Sequence, residues 1–366
     1  VRVEAHVRAH RESGVFMEWM VIRNEGKEDI RIHRAASDHL NLKAERYFVT
    51  SFRGTWGGES LMSEEEVARG HELVLSSGTG TRAAQEGSPG FIISLDGPAR
   101  EDSGEVIMGA VAWSGNYRIW FRHSPYHYLY AGAGMDVAPA PYVLDAGGVF
   151  EAPPLIRARS GRGKGEASRS MHRWARRYGL RGGDEERMTL LNSWEGVYFT
   201  FTEDVLHGMM KRAADLGIEL FVLDDGWFGN RFPRNDARAG LGDWQENRAK
   251  LPHGIDGLAE KAEELGIRFG IWVEPEMVNP QSELFLSHPD WVIGLPGREN
   301  RLERSQYLLD LSNPEVRGYI LGVMRELLGK HPGIAYVKWD CNRKISDPGS
   351  AWLDARHQGN LAIDYV

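Results

Sequence analysis

After Met188 the chain repeats one phrase three times: an amphipathic helix, a glycine stop, then a short apolar run opened by isoleucine. Asp204 to Leu216, with Val205, Met209 and Ala213 on one face, stops at Gly217 and leads into Ile218-Glu219-Leu220-Phe221-Val222-Leu223. Ile255 to Leu265 aligns Ile255, Leu258, Ala262 and Leu265, stops at Gly266 and leads into Ile267-Arg268-Phe269-Gly270-Ile271-Trp272-Val273. The third helix has Asn313 as cap and Pro314 at its first position, runs to Leu328 and passes through Gly333 into Ile334-Ala335-Tyr336-Val337. Glycine tolerates the left-handed backbone beyond a helix end, and proline lacks an N–H that the first turn leaves unused anyway. Strands separated by helices lie parallel, joined by right-handed crossovers. With Met188-Thr189-Leu190-Leu191 as the first, four inner barrel strands are expected.

The first half has another texture. Apolar patches such as Val15-Phe16-Met17-Glu18-Trp19-Met20-Val21-Ile22, Phe91-Ile92-Ile93-Ser94-Leu95 and Ile107-Met108-Gly109-Ala110-Val111-Ala112-Trp113 alternate with turn formers such as Asn24-Glu25-Gly26 and Asp96-Gly97-Pro98. Closely spaced strands of this kind read as an antiparallel sandwich. Ser160-Gly161-Arg162-Gly163-Lys164-Gly165 then marks a boundary before a helix over Ala167 to Tyr178. The expected division is a β domain over 1–160, a linker and connecting helix over 161–187, and a partial barrel over 188–366, with 351–366 as the helix after strand four.

Charge narrows the function. A net charge of -8 leaves no basic stripe for nucleic acid, and no apolar run approaches the roughly 18 residues of a membrane span. The single cysteine, Cys341, excludes an internal disulfide and, with no signal peptide at the start, fits a cytoplasmic location. The chain begins on Val1 and ends on Val366, which reads as an excerpt.

Each parallel strand runs into polar or aromatic residues: Asn192-Ser193-Trp194-Glu195, Asp224-Asp225-Gly226-Trp227, Glu274-Pro275-Glu276 after Trp272, and Lys338-Trp339-Asp340-Cys341-Asn342-Arg343. In a parallel sheet these ends share one side, where α/β barrels carry their chemistry. Carboxylates accept hydrogen bonds from vicinal hydroxyls, indoles cover the apolar face of a sugar ring, and one ionised carboxylate can attack an anomeric carbon. Alternation sets Lys338 and Asp340 on the same side, where an ammonium favours the ionised acid.

Simpler readings stand beside these. Asp224-Asp225 is also what a solvated turn contains, although an indole follows directly. Glu274 and Glu276 fit a helix cap as well as a site, and Trp194 and Trp272 fit a core as well as a ligand wall. Asp340 also fits a plain ion pair. Alternation turns Cys341 away from Asp340, as a small buried residue. His123 and His127 fall on a strand where four-residue spacing does not converge on a metal, and Gly78-Thr79-Gly80 and Gly161-Arg162-Gly163 read as turns. No cofactor motif stands out.

Leu191-Asn192-Ser193-Trp194-Glu195, Leu223-Asp224-Asp225-Gly226-Trp227-Phe228, Gly242-Asp243-Trp244, Phe269 to Val278 and Val337 to Arg343 together resemble glycoside hydrolase family 36, the bacterial α-galactosidases. The resemblance is looser in the first half, where Gly54-Thr55-Trp56 with Glu59 matches a family loop and Ser77 to Ala84 lacks an expected histidine. It implies an N-terminal β-supersandwich, a (β/α)8 barrel and a small C-terminal β domain. It makes Asp340 the nucleophile of a retaining double displacement on α-galactoside oligosaccharides. Asp224 and Asp225 then bind the galactose 4- and 6-hydroxyls, Trp194 and Trp272 wall that end, and Arg304, Lys338 and Asn342 take the remaining hydroxyls. Trp56 matches a loop that reaches a neighbouring subunit's pocket in tetrameric members, so a homo-oligomer is implied.

Two family features are missing: a Cys-Ser-Gly-Gly-Gly motif near strand five, and the acid/base aspartate of strand six. The excerpt alone is therefore expected to be inactive, and its open strand edges to make it poorly soluble. An α-N-acetylgalactosaminidase or a galactosyltransferase of the raffinose-synthase type would share Asp340. A non-catalytic sugar-binding protein with a degenerate barrel would lack the acid/base altogether.

Overall fold

A computed structural model describes residues 1–77, 87–138 and 140–366. Gly78-Thr79-Gly80 and most of the Ser77 to Ala84 segment lie outside them. The chain divides into two compact units, Val1–Glu185 with Ala355–Val366, and Glu186–Asp354.

The first unit is antiparallel β structure. One large sheet runs in the order Arg2–His10, Val15–Arg23, Leu155–Ser160, Glu105–Val111, Gly87–Leu95, Tyr47–Thr55, Gly58–Glu66, with Val149–Glu151 paired beside Val15–Arg23. A second orders Asp38–Lys43, Tyr128–Met135, Tyr117–His123 and Glu72–Ser76. Alternation decides the core: Tyr117, Ile119, Phe121 and His123 point inward from one strand, and Phe121 meets Phe91 edge to face at 5.2 Å. Gly109 lies under that Phe91 ring, where a Cβ would come within 2.5 Å of it. His123 is buried on its strand, whereas His127 occupies a turn at φ 62° rather than a strand position.

The linking helix begins earlier than its periodicity predicts, over Gly163–Trp174, and passes into a wider π-helical turn over Ala175–Gly179. A second difference concerns the C-terminal residues. Expected as the helix after the fourth parallel strand, 351–366 instead contains a short 3-10 turn, Gln358–Asn360, and one helical turn, Leu361–Asp364. Residues from Ala355 on pack with the β unit. There the Asn360 side chain accepts from the Val143 N–H at 2.8 Å and donates to the Val143 carbonyl at 2.9 Å, and Ile363 joins the Ile32, Met135 and Phe150 cluster.

The second unit is the expected α/β repeat. Its sheet contains β1 (Leu190–Asn192), β2 (Leu220–Leu223), β3 (Arg268–Val273) and β4 (Ile334–Trp339), all parallel and in sequence order. The long helices between them are α1 (Glu203–Asp215), α2 (Gly254–Glu264) and α3 (Pro314–Lys330), with short helical turns at Trp194–Val197 and Glu283–Ser287. The Thr202 hydroxyl caps α1, and the Asn313 side chain caps α3 by accepting from the Glu315 N–H at 2.9 Å, each worth about 1 kcal/mol. The buried face of α1 is Leu206, Met210 and Ala213, one residue on from the Val205 and Met209 predicted, and Val205 is exposed. On α2, Ile255, Leu258 and Ala262 are buried as expected. β2 and most of β3 are fully buried, while β4 is the last strand of the described sheet, with Tyr336 and Trp339 exposed. No described helix is long and apolar enough to cross a membrane.

Candidate active site

Because the four strands are parallel, the residues after β1, β2, β3 and β4 emerge on one side of the sheet. Asp340 follows the last residue of β4, and its N–H donates to the Val273 carbonyl at 2.7 Å, so the ladder fixes its backbone. Its carboxylate is held by three N–H donors. Trp272 Nε1 reaches Oδ2 at 3.0 Å, Asn342 Nδ2 reaches the same oxygen at 2.7 Å, and the Cys341 N–H reaches Oδ1 at 3.0 Å. Cys341 is half-buried and serves through its backbone.

The Lys338 ammonium pairs elsewhere. It donates to Asp224 Oδ2 at 2.7 Å, and Asn192 Nδ2 donates to that oxygen at 2.6 Å. The other Asp224 oxygen accepts the Asp225 N–H at 2.9 Å, and the Asp224 N–H donates to the Ser193 hydroxyl at 3.0 Å. Asn192 also accepts the Trp194 N–H at 2.8 Å, so one amide links the ends of β1 and β2. Alternation along the strand predicts Lys338 and Asp340 on one side, as neighbours. The long side chain nevertheless crosses β3 to reach an acid on β2.

Asp225 is differently placed from its neighbour. Arg234 grips both its oxygens, Nε at 2.9 Å and Nη2 at 2.7 Å, and also donates to Asn279 Oδ1 at 2.9 Å. Both partners are almost wholly buried. Burial pushes the Asp225 carboxyl up and the guanidinium opposes it. Each Asp225 oxygen takes one guanidinium hydrogen bond, so Arg234 fixes the carboxylate while each oxygen keeps a further lone pair.

Glu274 is 1% exposed. Its Oε1 accepts the Asn342 N–H and Nδ2, each at 2.8 Å, and its Oε2 accepts Gln306 Nε2 at 2.9 Å. Burial, reinforced by the charge of Asp340, pushes its carboxyl up to about 7 against the pull of the Asn342 hydrogen bonds. Glu276 accepts the Trp339 indole N–H at 2.8 Å.

Of the tryptophans, Trp272 is buried at 2% exposure, parallel to Phe228 at 6.2 Å, and reaches the site through its N–H. Trp194 is half-buried, edge to face with Tyr198 at 5.1 Å and Phe199 at 5.0 Å. Tyr198 sits at φ 46°, a conformation L residues avoid, and its hydroxyl donates to Glu195 at 2.9 Å. Arg304 is not brought in: exposed at φ 53°, it makes no hydrogen bond or ion pair among the described residues. Trp56 belongs to the first unit, 84% exposed at the tip of the hairpin joining Tyr47–Thr55 to Gly58–Glu66.

Sequence reading missed Arg234, Lys250 and Gln306. Lys250 donates to the carbonyls of Phe199 (3.0 Å), Gly226 (2.9 Å) and Arg234 (2.8 Å), and burial pushes its ammonium down to about 8. The one signal for Arg234 was a cation nine residues beyond a pair of acids; nothing marked the other two. Among the described residues no three His, Cys, Asp or Glu side chains gather as metal ligands. The arrangement offers an oriented carboxylate and, at another strand end, a lysine-paired one, a set that suits a polyhydroxylated ligand.

Two family models match the chain, the glycosyl hydrolase family 36 N-terminal domain over residues 1–145 and Melibiase over 149–366. Alpha-galactosidase AgaA of Geobacillus stearothermophilus is 36% identical, across 96% of this chain and 48% of that protein. An Escherichia coli alpha-galactosidase is 35% identical, across 96% and 48%. A crystal structure of an AgaA variant in complex with stachyose superposes with a TM-score of 0.94 and 33% identity, covering 99% of this chain and 50% of that one. The alpha-galactosidase of Lactobacillus brevis gives 0.93 and 29%, covering 100% and 48%. The chain spans about half the length of the curated relatives it matches.

Proposed function

The chain belongs to glycosyl hydrolase family 36, and from that premise we propose that the intact protein is a retaining α-galactosidase with Asp340 as its nucleophile. The observation that carries this is the Asp340 carboxylate, fixed by Trp272, Asn342 and Cys341 at the end of a parallel strand. An Asp340 oxygen attacks the anomeric carbon as the bond from that carbon to the aglycone oxygen breaks. A second carboxyl group, roughly 5–5.5 Å from the first, protonates the departing oxygen. Water then displaces Asp340 from the sugar, giving its proton to that second group, so two inversions retain the α configuration.

No residue of this chain is assigned the role of proton donor. Glu274, the raised acid nearest Asp340 in the network, has both oxygens engaged and is closed to solvent, which disfavours it. Asp224, with Lys338 beside it, is suited to sugar hydroxyls, and Asn342 to a hydroxyl near the nucleophile. Terminal α-galactose on raffinose-type oligosaccharides is the substrate proposed, since solved relatives hold stachyose and raffinose. The exposed Trp56 hairpin supports contact with a second copy.

The test is hydrolysis of an aryl α-galactoside by the intact protein after Asp340→Gly. Activity should vanish, and azide should restore turnover as a galactosyl azide of inverted configuration. Persistent hydrolysis without azide rules out Asp340 as the nucleophile.

A further inference from the structure

Asn342 makes the shortest contact to the Asp340 carboxylate, 2.7 Å from Nδ2 to Oδ2, and something must hold that amide in place. A free Asn side chain turns about two torsions, and exposure alone does not select one. Glu274 selects it. One carboxylate oxygen accepts both the backbone N–H and the side-chain Nδ2 of Asn342, each at 2.8 Å, which fixes the residue at both ends. The same Nδ2 has a second hydrogen, and that one reaches Asp340.

Glu274 is itself anchored. It follows β3 directly, is 1% exposed, and its other oxygen accepts Gln306 Nε2 at 2.9 Å. A carboxylate suits the place because it is acceptor-only and faces three N–H donors. Nothing about sugar binding requires an acid here, since Asn342 and Gln306 enclose it.

We propose that Glu274 is a positioning residue for the nucleophile, acting through Asn342 to set the Asp340 carboxylate, an inference that rests on Asp340 attacking the sugar. A neutral amide would serve nearly as well. Gln306 Oε1 is buried without a partner among the described residues. In Glu274→Gln the new amide oxygen can keep both Asn342 donors while its NH2 turns to Gln306 Oε1. Glu274→Ala removes the acceptor, and Glu274→Asp keeps the charge but withdraws it by one methylene.

The experiment compares these variants of the intact protein in two backgrounds, wild type and azide-rescued Asp340→Gly, with an aryl α-galactoside. In the wild-type background Glu274→Ala and Glu274→Asp should lower kcat on the order of 100-fold with little change in KM, as misplacing a reacting group does. Glu274→Gln should recover to within about threefold of wild type, the spread expected of a conserved hydrogen-bond frame. In the azide-rescued background no aligned carboxylate remains to be lost, so the same changes should alter galactosyl azide formation by no more than about twofold. An equal fall in both backgrounds, or no fall in the first, overturns the proposal. If Glu274→Ala does not fold, Glu274→Asp carries the same comparison. Unaided hydrolysis by Asp340→Gly alone removes the nucleophile assignment, and the proposal with it.

Discussion

Lys338 on β4 reaches across β3 to place its ammonium 2.7 Å from Asp224 Oδ2, at the end of β2, leaving Asp340 to neutral donors. The acid proposed to attack is thus oriented by N–H groups, and the acid proposed to bind hydroxyls has the cation. The two carboxylates are given separate electrostatic settings by one lysine.

Lys338→Met should therefore act on binding before chemistry. Asp224 is nearly buried and would keep Asn192 but lose its counter-ion. An unpaired charge of this kind costs about 2–5 kcal/mol. In the intact protein kcat/KM for an aryl α-galactoside should fall by at least tenfold, through a rise in KM, by initial-rate kinetics.

Arg234→Ala should unfold the site rather than retune it. Removing the guanidinium strands Asp225 in an interior position, and breaking a buried pair costs about 3–5 kcal/mol. Arg234→Lys cannot replace the two-pronged grip and should remain well below wild type. Denaturant titration of both variants measures this.

Glu274 gives a pH signature that Glu274→Gln should abolish. Its carboxyl is raised to about 7, with Asp340 and Asp225 as the charged groups facing it. A raised acid holds its proton more tightly folded than unfolded, so its stabilisation is complete below the usual carboxylate range and lost as pH rises through about 7. The thermal midpoint of wild type minus that of the variant, followed from pH 4 to 8, should decline between about 5 and 7 and level off above.

A second pH-sensitive contact lies in the β unit. Arg157 grips Glu18, and Asp38 shares a hydrogen bond with Glu18; burial, then that neighbour, raises Asp38 to about 6. The sign is the same: protonated Asp38 stabilises, and the benefit disappears as pH climbs past about 6. Asp38→Asn, which mimics the protonated acid, should melt higher than wild type at pH 7.5 and show no gain at pH 4.5, by calorimetry.

Periodicity made the repeat of helix, glycine and strand legible, since Gly217, Gly266 and Pro314 have backbone demands that do not depend on distant partners. The polar strand ends were legible too, because parallel strands bring them to one side whatever else happens. Partner choice was not. Whether Lys338 pairs with Asp340 or Asp224 depends on the sheet order and side-chain length, and adjacency in sequence pointed the wrong way. Arg234 and Gln306 were hidden for the same reason: each acts on an acid supplied by a different loop or strand. The 351–366 segment was misread because its destination is set by Asn360 meeting Val143, 217 residues earlier.

Lys250 ties three backbone carbonyls from the loops after β1 and β2 to a single ammonium. Those two loops consequently share a fate. A change of length or shape in either displaces an acceptor the other relies on, so substitutions in the two should be tolerated together or not at all. Diversification of this rim would proceed by paired changes, with Lys250 as the point through which each constrains the other.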